Sequence, residues 1–92
     1  MHSFTKFYIA HCLSMLGKKP VIEFSFIKGE ERYDVFDFVD GIAYEVETSG
    51  RTEHKEVYKK NVQIKDVIVI RPKRTYYGCM EAVNKKLGVE LK

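Results

Sequence analysis

The stretch Asp66-Val-Ile-Val-Ile70 limits this chain more than any other. Four consecutive β-branched apolar residues between Lys65 and Arg71-Pro72 leave no polar face for water, so the segment has to be covered on both sides. That pattern belongs to a buried, parallel strand. A parallel neighbour is reached only through a crossover, usually a helix. The rest of the chain must therefore supply a partner strand, a crossover and covering layers.

The preceding residues supply them. Val21-Ile-Glu-Phe-Ser-Phe-Ile27 alternates, with Ile22, Phe24 and Phe26 expected on one side. Residues 32–39 read as a second strand, and Asp40-Gly41 as a two-residue hairpin turn. Residues 42–48 form a third strand, with Ile42, Tyr44 and Val46 on one face and Ala43, Glu45 and Glu47 on the other. Phe4, Phe7, Tyr8, His11 and Met15 recur at helical spacing over 3–16, and Gly17 with Lys18-Lys19-Pro20 stops the helix. Residues 52–60 are polar and helix-forming, with Thr52 or Ser49 as cap, and 76–87 carry Met80, Val83 and Leu87 on one stripe. The expected fold class is α/β in the order α-β-β-β-α-β-α, a mixed central sheet flanked by helices.

At 92 residues the chain, 1–92, is a single domain. Its 45% hydrophobic and 13% aromatic content excludes a disordered polyelectrolyte. No apolar run approaches the roughly 18 residues of a membrane span. The segment 7–16 is broken by His11 and Ser14 and does not read as a signal peptide. Cys12 and Cys79 lack metal-site or CxxC spacing and are expected as free, partly buried thiols in a reducing cytoplasm; a bridge between them is the alternative. The net charge of +3 permits a nucleic-acid partner without requiring one.

Acidic residues concentrate on the second and third strands. Glu45 and Glu47, two positions apart, project together roughly 7 Å from Cα to Cα. If the second strand pairs with the third, Asp34 can converge on them. Mg²⁺ or Mn²⁺ takes oxygen ligands and keeps several waters, so two or three carboxylates suffice to hold it. Such an ion activates water and offsets charge on a phosphoryl oxygen. The plain alternative is a solvated sheet face, for which alternate glutamates are ordinary. Asp40 is a turn residue, and Asp37, out of phase with Asp34, is expected to face solvent or a basic neighbour.

Tyr33-Asp34, followed after the Asp40-Gly41 turn by Ile42-Ala-Tyr-Glu-Val-Glu-Thr48, resembles the motif of the PD-(D/E)xK nuclease superfamily. That superfamily includes restriction endonucleases and archaeal Holliday-junction resolvases. The resemblance extends to the order of elements across essentially the whole chain. It implies a restriction-endonuclease-like core and a metal-dependent nuclease hydrolysing DNA phosphodiester bonds. Asp34 and Glu45 would be the metal ligands, and Glu47 would stand in the lysine position, as ligand or as a group orienting water. Two departures accompany it: Tyr33 replaces the proline, and glutamate replaces the lysine. The missing positive charge would then come from Lys55 or Lys59, and His54 and Tyr58 are spaced like a helix motif of one branch. Resolvases of this superfamily dimerise, which implies a homodimer. A catalytically inactive nucleic-acid-binding or protein-interaction module is the alternative, and a small ribonuclease-like toxin or antitoxin partner a third reading.

Basic residues flank the acidic strand. Arg51 and Lys60 follow it, and Arg71, Lys73 and Arg74 form a proline-containing loop after the apolar strand; all five are expected DNA contacts. The lysines of 52–60 can equally be a solvated helix face. Tyr76 and Tyr77 are expected to pack the last helix onto the sheet, with stacking on bases as the alternative. His11 is expected in the core, and His2, His11 and His54 form no metal site by spacing.

Overall fold

In the computed structural model the described residues are 1–26, 32–47 and 64–88. Helix α1 spans His2–Met15 and ends in a Schellman motif: Gly17 adopts φ 79°, and Lys18 N–H donates to Leu13 O at 2.9 Å. Strands β1 (Pro20–Phe24), β2 (Tyr33–Asp37), β3 (Ile42–Val46) and β4 (Asp66–Ile70) follow, then helix α2 (Tyr76–Leu87). The short helix expected over 52–60 lies outside the described residues. Thr75 caps α2 by accepting from Gly78 N–H at 2.9 Å, and left-handed Gly88 closes it.

The four strands form one mixed sheet in the order β1-β2-β3-β4. β1 and β2 pair antiparallel, as do β2 and β3, and β4 runs parallel to β3 from Ile42↔Asp66 to Val46↔Ile70. The apolar run thus takes the parallel position its composition demands. Four residues, not two, connect β2 to β3: Gly41 at φ 72° lets its N–H reach back to Asp37 O at 2.9 Å.

Both sheet faces are covered. Ile9, Cys12 and Leu13 of α1 and Val83 of α2 pack on Val35, Tyr44, Val46 and Ile70. Tyr33, Phe36, Ala43, Ile64 and Val67 form a second cluster, with Phe24 and Phe26 beside them. Asn84 ties the helices together, accepting from Tyr8 Oη at 3.1 Å and Cys12 Sγ at 3.6 Å. Cys12 and Cys79 are buried free thiols, and burial raises the pKa of Cys12. No described helix is long and apolar enough to cross a membrane.

Several expectations change. The stripe of α1 that meets the sheet is Thr5, Lys6, Ile9, Cys12 and Leu13, while Phe7, His11 and Met15 are exposed. A helix apolar nearly all round gives periodicity little to choose from, and Lys6 and Thr5 go inward because each has a partner. Ile22 and Phe24 do not share a side: Glu23 sits at φ 54° and reverses the alternation, sending Ile22 to the helix face and Phe24 to the aromatic cluster. Tyr76 and Tyr77 are 62% and 60% exposed, so they do not pack α2 on the sheet; Tyr76 meets Phe4 of α1 edge-to-face, with ring centroids 4.7 Å apart. Asp37, expected to face solvent or a basic neighbour, is 0% exposed and accepts from backbone amides, including that of Lys19.

Candidate functional site

The β2–β3 ladder runs from Asp37↔Ile42 to Val35↔Tyr44. One step further, Asp34 and Glu45 take over with their side chains. Asp34 N–H donates to Glu45 Oε1 at 3.0 Å, and Val46 N–H donates to Asp34 Oδ2 at 2.8 Å. Each strand's carboxylate therefore holds an amide of the other strand where the ladder opens. Bonds of this kind, a carboxylate accepting from a backbone N–H, fix both side chains in place. Glu45 is only 6% exposed, which removes the solvated-face reading for it. Strand-to-strand register brings Asp34 and Glu45 together as the sequence predicts.

The N-terminal half of α1 supplies two basic side chains, His2 and Lys6, at this end of the sheet. His2 Nε2 lies 3.5 Å from Asp34 Oδ2, and one turn later Lys6 Nζ lies 3.3 Å from Glu23 Oε1. The β1–β2 register, with Ile22↔Val35 and Phe24↔Tyr33, sets Glu23 beside Asp34. Glu23, Asp34 and Glu45 thus form one row across three strands, and the left-handed backbone at Glu23 turns its carboxylate to Lys6. Lys6 is 7% exposed, uncommon for a lysine and tolerated because it is paired. His2, Lys6 and Glu23 were not singled out by spacing. The signal for Lys6 and its partner is physical: a lysine in the first turns of a helix opposes the helix dipole and needs an acidic partner to be favourable there.

The parallel strands β3 and β4 also end here. Glu47 follows β3, its N–H donating to Ile70 O at 3.0 Å, and Arg71 follows β4. Lys73, Arg74, Tyr76 and Tyr77 come next, all exposed. The backbone of Lys73 is held by Cys79, whose Sγ accepts from Lys73 N–H at 3.2 Å and donates to Lys73 O at 3.4 Å. Gly78 makes this approach possible, since a Cβ there would meet Lys73 Cβ at 2.9 Å. Arg51, His54, Lys55, Tyr58, Lys59 and Lys60 lie outside the described residues.

A divalent cation is tested by this donor set. Among the described residues no group of three or more His, Cys, Asp or Glu side chains gathers as a ready-made cage. Two fixed carboxylates on adjacent strands still fit Mg²⁺, which is bound through one or two carboxylates and keeps its remaining waters.

Comparison with protein-family models, with curated proteins and with solved structures finds no match to this chain.

Proposed function

We propose that the chain is a metal-dependent nuclease that hydrolyses DNA phosphodiester bonds, built on a restriction-endonuclease-like core. The observation that carries this reading is the reciprocal lock of Asp34 and Glu45 at the opening of the β2–β3 ladder. Two features support it. The pair lies at the end of the sheet where β3 and β4 both finish, the side on which open α/β sheets receive ligands. The basic loop bearing Arg71, Lys73 and Arg74 leaves the same end, able to hold phosphates while the carboxylates hold a cation.

Asp34 and Glu45 would hold Mg²⁺ or Mn²⁺, which supplies Lewis acidity toward a phosphoryl oxygen and toward water. The backbone amides of Asp34 and Val46 keep the two carboxylates aimed. Glu47 orients the attacking water, Lys55 or Lys59 adds positive charge, and Arg51, Lys60, Arg71, Lys73 and Arg74 bind backbone phosphates. In a homodimer, two such centres would address both strands of a duplex.

A second reading has its own observation. Oδ2 of Asp34 and Oε1 of Glu45 are already committed to backbone amides, which is also how a carboxylate pair serves as a stitch between strands in a non-catalytic nucleic-acid-binding module. Supercoiled plasmid, single strands and branched junctions incubated with Mg²⁺ or Mn²⁺ separate the two. The nuclease reading expects metal-dependent cleavage that falls by about 100-fold or more in Asp34→Asn and in Glu45→Gln, a loss of several kcal/mol of transition-state stabilisation. No cleavage of any substrate by the folded wild-type protein would sink it.

A further inference from the structure

An open groove of about 1060 Å³ lies between β4 and α2, with neither Asp34 nor Glu45 in its lining. β4 is an edge of the sheet among the described strands, and its apolar residues form one wall. Four cations line the groove, Arg71 and Lys73 at one end and Lys85 and Lys86 at the other, against a single acid, Glu81. Such a one-signed channel concentrates an anionic chain. From Gly78 to Lys86 the helix rises ~12 Å. That length is the axial span of three to four nucleotides of a stacked strand at ~3.4 Å each.

Aromatic surface stands at the same end as Arg71 and Lys73. Tyr77 heads the helical row Tyr77, Glu81, Lys85, directly beside the groove row Gly78, Ala82, Lys86. It is 60% exposed. A Tyr ring beside a cationic track gives a base a face to stack on, and only unpaired bases offer that face. The Cys79 clamp on the Lys73 backbone means this part of the track is set before any ligand arrives.

We propose that the β4–α2 groove binds a single strand of nucleic acid, its phosphates on Arg71, Lys73, Lys85 and Lys86 and a base stacked on Tyr77. This deepens the nucleic-acid half of the proposed function and does not depend on its chemistry.

The test is fluorescence anisotropy of a labelled 12-nucleotide single strand, its duplex and poly-glutamate, in EDTA so that cleavage plays no part. The single strand is expected to bind best, with affinity falling as roughly the third power of salt concentration. The double variant Lys85→Gln/Lys86→Gln should weaken binding about tenfold and lower the salt exponent by roughly 1.4. Tyr77→Ala should weaken the single strand about tenfold and leave duplex binding unchanged. Lys19→Gln, exposed at the opposite end of the sheet, should change nothing. All are surface changes, and circular dichroism verifies the fold. Absence of binding, equal binding of duplex or poly-glutamate, or groove variants that behave like Lys19→Gln overturns the proposal. A protein that cleaves DNA yet ignores the groove variants refutes the groove alone. One that binds single strands through the groove but cleaves nothing refutes the nuclease reading alone.

Discussion

Both ends of the β2–β3 hairpin hold carboxylates against backbone amides, and they use them differently. At the turn, Asp37 is sealed from water and accepts from Lys19 N–H at 3.3 Å, Val39 N–H at 2.9 Å and Asp40 N–H at 3.3 Å. Its donors come from its own turn and from the residue that leads into β1, so the group closes the loop on itself. At the open end, Asp34 and Glu45 each take one amide from the opposite strand and face the ends of β3, β4 and α1. A buried carboxylate alone is therefore no sign of function. What distinguishes the second case is that two acids meet on neighbouring strands with cations around them.

The widest separation between the two ends should appear in stability. Asp37→Ala leaves buried amides without an acceptor and should cost about 3 kcal/mol, whereas Asp34→Ala, whose site is half-open to water, should cost about 1 kcal/mol. Urea melts of both variants decide this, and equal losses would erase the distinction.

The next effect lies in Tyr44, which burial first, and then the negative charges of Asp37 and Asp40, push up to about 12. A tyrosine raised in the folded state contributes stability that is intact below its unfolded value of about 10 and is lost as pH rises through the folded value. That loss should reach about 2–3 kcal/mol between pH 10 and 12. Asp37→Asn should lower the Tyr44 value and Asp34→Asn should leave it in place, read by NMR of ¹³C-labelled tyrosine.

The smallest effect belongs to the surface pair Lys18–Asp40 at 2.8 Å. Their hydrogen bond lowers the pKa of Asp40 and raises that of Lys18. The pair's contribution is present at neutral pH, fading as pH falls through the folded value of Asp40 or rises through that of Lys18. Side-chain NMR titration in wild type and Lys18→Met measures it, and an unshifted Asp40 in the wild type would remove the pair from the comparison.

The order of the described elements could be read from the chain because local signals agree with the global fold there: the β-branched run of β4, the alternation of β3 and the span of α2. Asp34 and Glu45 were legible because strand register alone brings them together. The rest depended on partners distant in sequence. Asp37 reads as an acid facing solvent or a basic neighbour until Lys19 arrives from the β1 side with its amide. Lys6 looks like a surface lysine until Glu23 leaves the β conformation to meet it. The inward stripe of α1 could not be chosen by hydrophobicity, because the competing stripe, with Phe7 and Met15, is as apolar. Tyr76 and Tyr77 sit on a helix whose buried positions are filled by Cys79, Val83 and Asn84, leaving the rings outside.

The left-handed backbone at Glu23 has a consequence for how this chain behaves in company. β1 is an edge strand of the described sheet, with a row of main-chain groups that another chain could pair with and propagate into an aggregate. Pro20 opens that strand without an N–H, and Glu23 breaks its regular repeat near the other end while adding a charge. A second molecule therefore finds only two regular residues, Val21 and Ile22, between the interruptions. Restoring extended geometry at position 23 would lengthen that run and make the protein more prone to stick to itself at high concentration.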